Sequence, residues 1–222
     1  MDWPALSLSV ELACWTVAVL IPFAVAVGRP LAWRRFPGKG WVAALIALPL
    51  VVPPTVLGFY LLVAFGQGSA VGDLYRAVVG RSLVFSFQGL LLASLIFNLP
   101  FAVQPIQRAF ETVPRSVREA AWCSGLSAWR TFWRIELPLA LPGVVSAAVL
   151  TFAHTMGEFG VVLMVGGNIP GETRTLAIAI YDRVQAFDDA AAGAMAALLL
   201  ALAFVAIGVV HWLSGRVVRS DD

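Results

Sequence analysis

Long apolar runs alternate along this chain with short breaks that collect its charges, prolines and glycines. The runs occupy roughly residues 8–28, 41–65, 82–103, 143–165 and 190–212. Each is about 20 residues long, the length a helix needs to cross the hydrocarbon core of a bilayer. In lipid a helix satisfies its own backbone groups, so runs of this length predict spanning helices. The pattern therefore predicts an all-α, polytopic transmembrane protein of about five spans, forming one membrane domain over residues 1–222. The longest polar segment, 104–141, falls between the third and fourth runs.

That segment has its own local order. Pro114 disfavours helix just before it, and Ser116 and Glu119 stand at capping-box spacing, which predicts a short helix beginning at Ser116. Ala120 and Ala121 lie side by side on it, and Gly125 is the residue best able to take the left-handed closing conformation. Leu126 follows, Ser127 can start a second helix over Ala128 to Glu136, and Leu137-Pro138 leads into the next run. Small residues let such a helix lie close against another surface. On these residues alone, an ordinary interfacial hairpin and a docking element both remain open.

Composition agrees with the membrane assignment: the chain is 60% hydrophobic and 13% charged, far more apolar than a soluble domain. The net charge of +2 gives no sign of a nucleic-acid partner, but its distribution is informative. Placing segments 29–40 and 104–141 and the C-terminal tail on one side collects eleven Arg and Lys residues, including Arg216 and Arg219, and leaves four on the other. Short basic loops stay cytoplasmic, so the N-terminus is predicted outside and the C-terminus inside. Trp3, Trp41 and Trp212 fall near run ends, where amphipathic rings favour the interface. Trp122, Trp129 and Trp133 either pack the hairpin onto the spans or meet a partner. Asp2 stands where a cleavable signal would be basic, so the first run is expected to be retained.

Breaks within the runs mark a candidate path. Pro49, Pro53 and Pro54 deprive the second run of N–H donors and predict a bend, read here as a pathway-lining kink beside the alternative of a packing kink. The fourth run holds His154 and Gly157-Glu158-Phe159-Gly160. Glu158 falls roughly 22 Å along a core about 30 Å thick, and ionisable groups at such depth are functional candidates. His154 and Glu158, four residues apart, can share a helix face and pair. Glu158 is not assigned as a ligand of an anion; satisfying donors at a helix break marked by Gly157 and Gly160 fits it better. Leu176, Ile180, Val184 and Phe187 recur at helical spacing and predict a short amphipathic outer helix. Arg174 and Arg183 near it are candidate vestibule cations.

No phosphate-binding loop is present: the sole lysine, Lys39, is followed by Gly40, and Trp33 occupies the position of the first glycine. Cys14 and Cys123 have neither pairing nor metal-site spacing, and no nucleophile elbow occurs. No enzyme activity, cofactor or metal is expected.

Glu119-Ala120-Ala121, three residues, Gly125, nine residues, then Ile135-x-Leu137-Pro138 resembles the signature of the permease subunits of ATP-binding-cassette importers, with every fixed position matched. The resemblance implies a type I importer-permease architecture in a bacterial inner membrane. It also implies that 104–141 is a coupling loop docking into a cytoplasmic ATPase through Glu119, Ala120, Ala121, Gly125, Leu126, Ile135, Leu137 and Pro138. Two permease copies would enclose one path, fed by a periplasmic or extracellular oxyanion-binding protein and surrounded by membrane lipid. Phe36-Pro37-Gly38-Lys39, Val52-Pro53-Pro54, Gly157-Glu158-Phe159-Gly160 and Asn168-Ile169-Pro170-Gly171-Glu172-Thr173-Arg174-Thr175 occur in the order seen in molybdate permeases. The Gly-Glu-Phe-Gly run is shared with sulfate and thiosulfate permeases, so sulfate, thiosulfate and tungstate stand as alternative cargoes. An ion-coupled secondary transporter and a non-transporting scaffold are the competing classes.

Overall fold

Apolar runs leave the backbone no partner but itself, and the elements formed are helices, with no strand among the described residues. The computed structural model describes the backbone of residues 1–218 and side chains through Val209. Trp212, Arg216 and Arg219, named above from sequence, lie outside the described side chains.

The elements in order are α1 (Trp3–Trp33), α2 (Lys39–Val51), α3 (Pro54–Phe65), α4 (Ala70–Val79), α5 (Phe87–Glu111), α6 (Arg115–Cys123) and α7 (Ala128–Thr131). A π-helical turn (Phe132–Glu136) then joins α7 to α8 (Leu137–Met156), followed by α9 (Gly160–Gly166), α10 (Leu176–Gln185) and α11 (Asp189–Val218). Four stretches of the described chain are long and apolar enough to cross a membrane: Trp3–Trp33, Phe87–Glu111, Ala128–Met156 and Asp189–Val209. The α2–α3 pair makes a fifth if it counts as one broken span.

Three sequence boundaries shift. The 41–65 run does not merely kink; α2 and α3 meet at 112°. Val52 and Pro53 are extended, with ψ of 130° and 137°. Pro54 then opens α3, where its missing N–H costs no helix bond. The 82–103 run becomes helical only at Phe87, where Ser86 caps by accepting from the Gly89 amide at 3.2 Å, and it continues to Glu111. The 143–165 run is not one helix: a rod beginning at Ala128 ends at Met156, and Gly157 to Phe159 separate it from α9. The polar segment 104–141 accordingly shrinks to a non-spanning piece of residues 112–127. Hydropathy registers where side chains turn polar, whereas helices continue while their hydrogen bonds close.

α1, α5 and α8 form the central bundle, packed through Leu20, Ala24, Ala102, Ile106, Val144 and Ala147. Close approach depends on small residues. A Cβ on Gly28 would stand 3.2 Å from the Gln107 backbone nitrogen, and one on Gly143 would collide with the Ala109 methyl. A second unit pairs α3 with α9, where Gly58 faces Val161 and Met164. α11 lies against α8 and α10.

Gly143→Val is therefore expected to push α5 and α8 apart and cost about 1–3 kcal/mol by overpacking. The check is a lowered thermal midpoint of the detergent-purified protein.

Candidate coupling site and intramembrane breaks

The short helix α6 starts at Arg115, not Ser116, because Pro114 is already extended (ψ 136°) and acts as the boundary residue. Ser116 is thus the second helical residue, and the capping box does not form. Glu119 instead accepts from Arg115 Nε at 2.7 Å, one turn back on the exposed face. The other end closes as its glycine requires. Gly125 takes φ +79°, its N–H donates to the Trp122 carbonyl at 3.0 Å, and the Leu126 N–H donates to Ala121 at 3.1 Å. These two bonds are the Schellman pattern. Ser127 then caps α7 by accepting from the Arg130 amide at 3.4 Å. Ala121 is buried, whereas Val117, Glu119, Ala120, Trp122, Ser124 and Gly125 are exposed. Ile135 and Leu137 are half-buried, and Pro138 is exposed.

Beneath α6 lies a cluster that no sequence motif marked. Glu136 is fully buried. Its Oε2 accepts from Arg29 Nε at 2.7 Å and its Oε1 from Arg118 Nε at 3.2 Å. The Arg118 guanidinium stacks 3.6 Å over the Trp33 ring, and the Trp33 indole N–H donates to the Phe110 carbonyl at 3.1 Å. The π-turn arises just ahead of Pro138, which has no N–H for the Arg134 carbonyl; Leu137 N–H donates five residues back, to Phe132. Trp129, Trp133 and Phe132 form an aromatic cluster beside it, with both tryptophans more than half exposed. The sequence did contain a signal for Glu136: one carboxylate inside an apolar-proline motif.

The break residues come together. Gly160 lies against Pro54, where a Cβ would stand 3.0 Å from the proline ring, so the Pro53–Pro54 bend and the Gly157–Gly160 break face one another. Glu158 is buried and accepts from Ser94 Oγ at 3.5 Å, and Ser94 in turn accepts from Thr16 Oγ1 at 3.1 Å. Its expected pairing with His154 is absent. α8 ends at Met156, so the helical four-residue spacing does not reach Glu158. His154 Nδ1 instead lies 2.9 Å from Asn98 Oδ1, with the ring stacked on Phe101 at 3.8 Å. Asn98 also donates to the Ser94 carbonyl and hydroxyl, at 2.9 and 3.2 Å, so both groups meet through α5.

At the opposite end from α6, Arg174 Nε donates to Asn168 Oδ1 at 2.6 Å and lies 3.5 Å from Asp182, which Asn168 also contacts. Arg183 pairs with Asp188 at 3.2 Å. Both guanidinium charges are therefore matched locally. α10 buries Leu176, Ile178 and Ala179, while Val184 and Phe187 are exposed, so the inward face is narrower than the spacing predicts.

Comparison with known proteins bears directly on this arrangement. Residues 20–219 match the family model for the binding-protein-dependent transport system inner membrane component. The molybdenum transport system permease protein ModB of Azotobacter vinelandii is 45% identical, over 98% of this chain and 88% of the relative. That of Escherichia coli K12 is 35% identical, over 96% and 93%. A probable sulfate transport system permease of Zygnema circumcarinatum is 30% identical, over 89% and 70%. Among solved structures, a bacterial transporter involved in import of the acidic polysaccharide alginate superposes with a TM-score of 0.72 at 15% identity, over 97% of this chain and 78% of that one. The MetNI methionine transporter in inward-facing form gives 0.66 at 18%, over 99% and 93%.

The open space around Gly125 means that only backbone strain opposes a side chain there. Gly125→Leu is expected to cost about 1–2 kcal/mol at that residue. Amide hydrogen exchange should quicken over residues 115–126 and stay unchanged in the α1–α5–α8 bundle.

Proposed function

This chain belongs to the family of binding-protein-dependent transport system inner membrane components, and from that premise we propose that it builds half of the path of a molybdate importer. Its helical fold is that of type I importer permeases. Two copies enclose one path, and each docks α6 on a separate cytoplasmic ATPase subunit. Exposed apolar residues such as Trp41, Val51 and Phe204 are covered by the second copy and by membrane lipid. The permease itself carries no ATP site. The excess of basic residues on the α6 side supports a cytoplasmic position for that end and for the C-terminus, with the N-terminus outside.

One observation carries the mechanism: α6 presents an exposed face and is anchored on its inner side to the spans through a buried ion cluster. Docking residues are Glu119, Ala120, Gly125 and Leu126, Ala121 seats the helix on the spans from its buried side, and Ile135, Leu137 and Pro138 join the helix to the rod that crosses the membrane. ATP binding drives the cycle only if the closed ATPase pair prefers the outward-facing permease, since a ligand shifts an equilibrium by its differential affinity alone. Pro53, Pro54, Gly157, Glu158 and Gly160 form the flexing part of the path. Arg174 and Arg183, already matched by carboxylates, give at most weak attraction to an oxyanion. Selection therefore rests with the binding protein, and the near-full-length similarity to molybdenum permeases favours molybdate over sulfate.

Reconstituted with its ATPase and binding protein, the permease is expected to take up molybdate only with ATP. Tungstate should compete strongly and sulfate weakly. Flux without ATP or ATPase would favour an ion-coupled transporter, and equal competition by sulfate would remove the molybdate assignment.

A further inference from the structure

Three elements far apart in sequence converge on one carboxylate at the α6 end of the bundle. Arg29 comes from the end of α1, Arg118 from α6, and Glu136 from the π-turn that opens into α8. Glu136 has no exposed surface, while the Arg118 side chain is 15% and the Arg29 side chain 30% exposed. An isolated buried carboxylate is costly, and here each oxygen receives one charge-assisted bond. The stack of Arg118 on Trp33 adds a second tie from α6 to α1, and Trp33 passes it to α5 at the Phe110 carbonyl.

Little else holds α6. Nine residues of helix do not persist alone in water, and within α6 only Ala121 is buried. Without the cluster, a displacement of α6 would dissipate in the turns at residues 112–114 and 124–127. The π-turn is what aims Glu136 inward. One extra residue in a turn rotates the downstream helix by about 100°, so an ordinary α-turn there would point the carboxylate away from Arg29 and Arg118.

We propose that the Arg118–Glu136–Arg29 cluster is the transmission between the coupling helix and the first span, with Glu136 the positioning residue that makes α6, α1 and α8 move as one body. The inference rests on the importer function proposed for the chain. α8 is joined to α6 through the chain and to α1 by apolar packing, whereas the directional bonds that tie α6 itself to α1 run through this cluster and the Arg118–Trp33 stack beside it. Two directional bonds from separate helices fix angle as well as distance, which an apolar contact free to slide does not.

The test uses the permease alone and in complex with its ATPase and binding protein. Spin labels are placed at exposed Ser116 on α6 and exposed Arg35 just beyond α1, after Cys14→Ser and Cys123→Ser remove the two free exposed thiols. The unsubstituted pair should give one narrow distance, unmoved by ATP. Glu136→Gln should broaden that distance and lower oxyanion uptake per ATP hydrolysed about fivefold or more. If Glu136→Gln gives little folded protein, Arg118→Lys, which keeps the charge but loses the planar stack on Trp33, is read the same way. A narrow distance in the variant overturns the proposal, whether or not uptake falls. Unchanged uptake per ATP overturns it too. Absence of any uptake by the unsubstituted complex would count against the importer function instead, because the distance in the permease alone requires no cargo.

Discussion

A carboxylate with no access to water sets the terms for one whole end of this protein. Glu136 is tolerated because Arg29 and Arg118 each occupy one of its oxygens, and those arginines are in turn held against Trp33, Trp122 and Phe132. The dependence is asymmetric. Taking one partner from a buried ion pair costs about 3–5 kcal/mol, because the charge left behind is uncompensated, although the intact pair adds little net stability. The ends of α1 and α5, the start of the α8 rod and the only anchored side of α6 therefore share one local requirement. The cluster carries two positive charges against one negative, which keeps the cationic character expected of this face of the bundle.

Away from that end the packing changes in kind. α1, α5 and α8 approach closely over small residues and are continuous helices of 31, 25 and 20 residues. The α3–α9 pair is made of two short helices, each beginning just after a proline or glycine break. A polar line of Thr16, Ser94, Asn98 and His154 crosses α1, α5 and α8, and Glu158, just before α9, branches from it at Ser94. Polar groups within hydrocarbon need partners, so the Ser94–Glu158 bond adds a directional tie to the apolar contact of Ala93 and Phe97 with Leu61, Phe65, Val161 and Val165 that already joins the two units.

Much of this was legible in the sequence. Apolar run length marked the all-helical character and the long helices α1, α5, α8 and α11, though not their bounds. Gly125 closes α6 in the left-handed conformation its lack of a side chain permits, and the proline pair bends the second run. The failures share a cause. The capping box at Ser116, the pairing of His154 with Glu158 and the single fourth span all assumed that local spacing continues through a helix. In each case a boundary fell inside the spacing: Pro114 began α6 early, and α8 stopped at Met156. Arg29, Arg118 and Glu136 are separated by 89 and 18 residues, and no periodic pattern relates them.

The choice of ions over an apolar plug at this junction has a physical logic. An apolar junction of the same volume would be no less stable, and it would let α6 settle in several registers against α1. Charge-assisted bonds restrict those registers, because a shift of even one turn of α6 would leave the carboxylate half-paired in a site closed to water. The cost falls on misalignment, and not on the aligned state. In the coupling role proposed for it, α6 would deliver a push along one direction, and it would gain more from that penalty than from added stability.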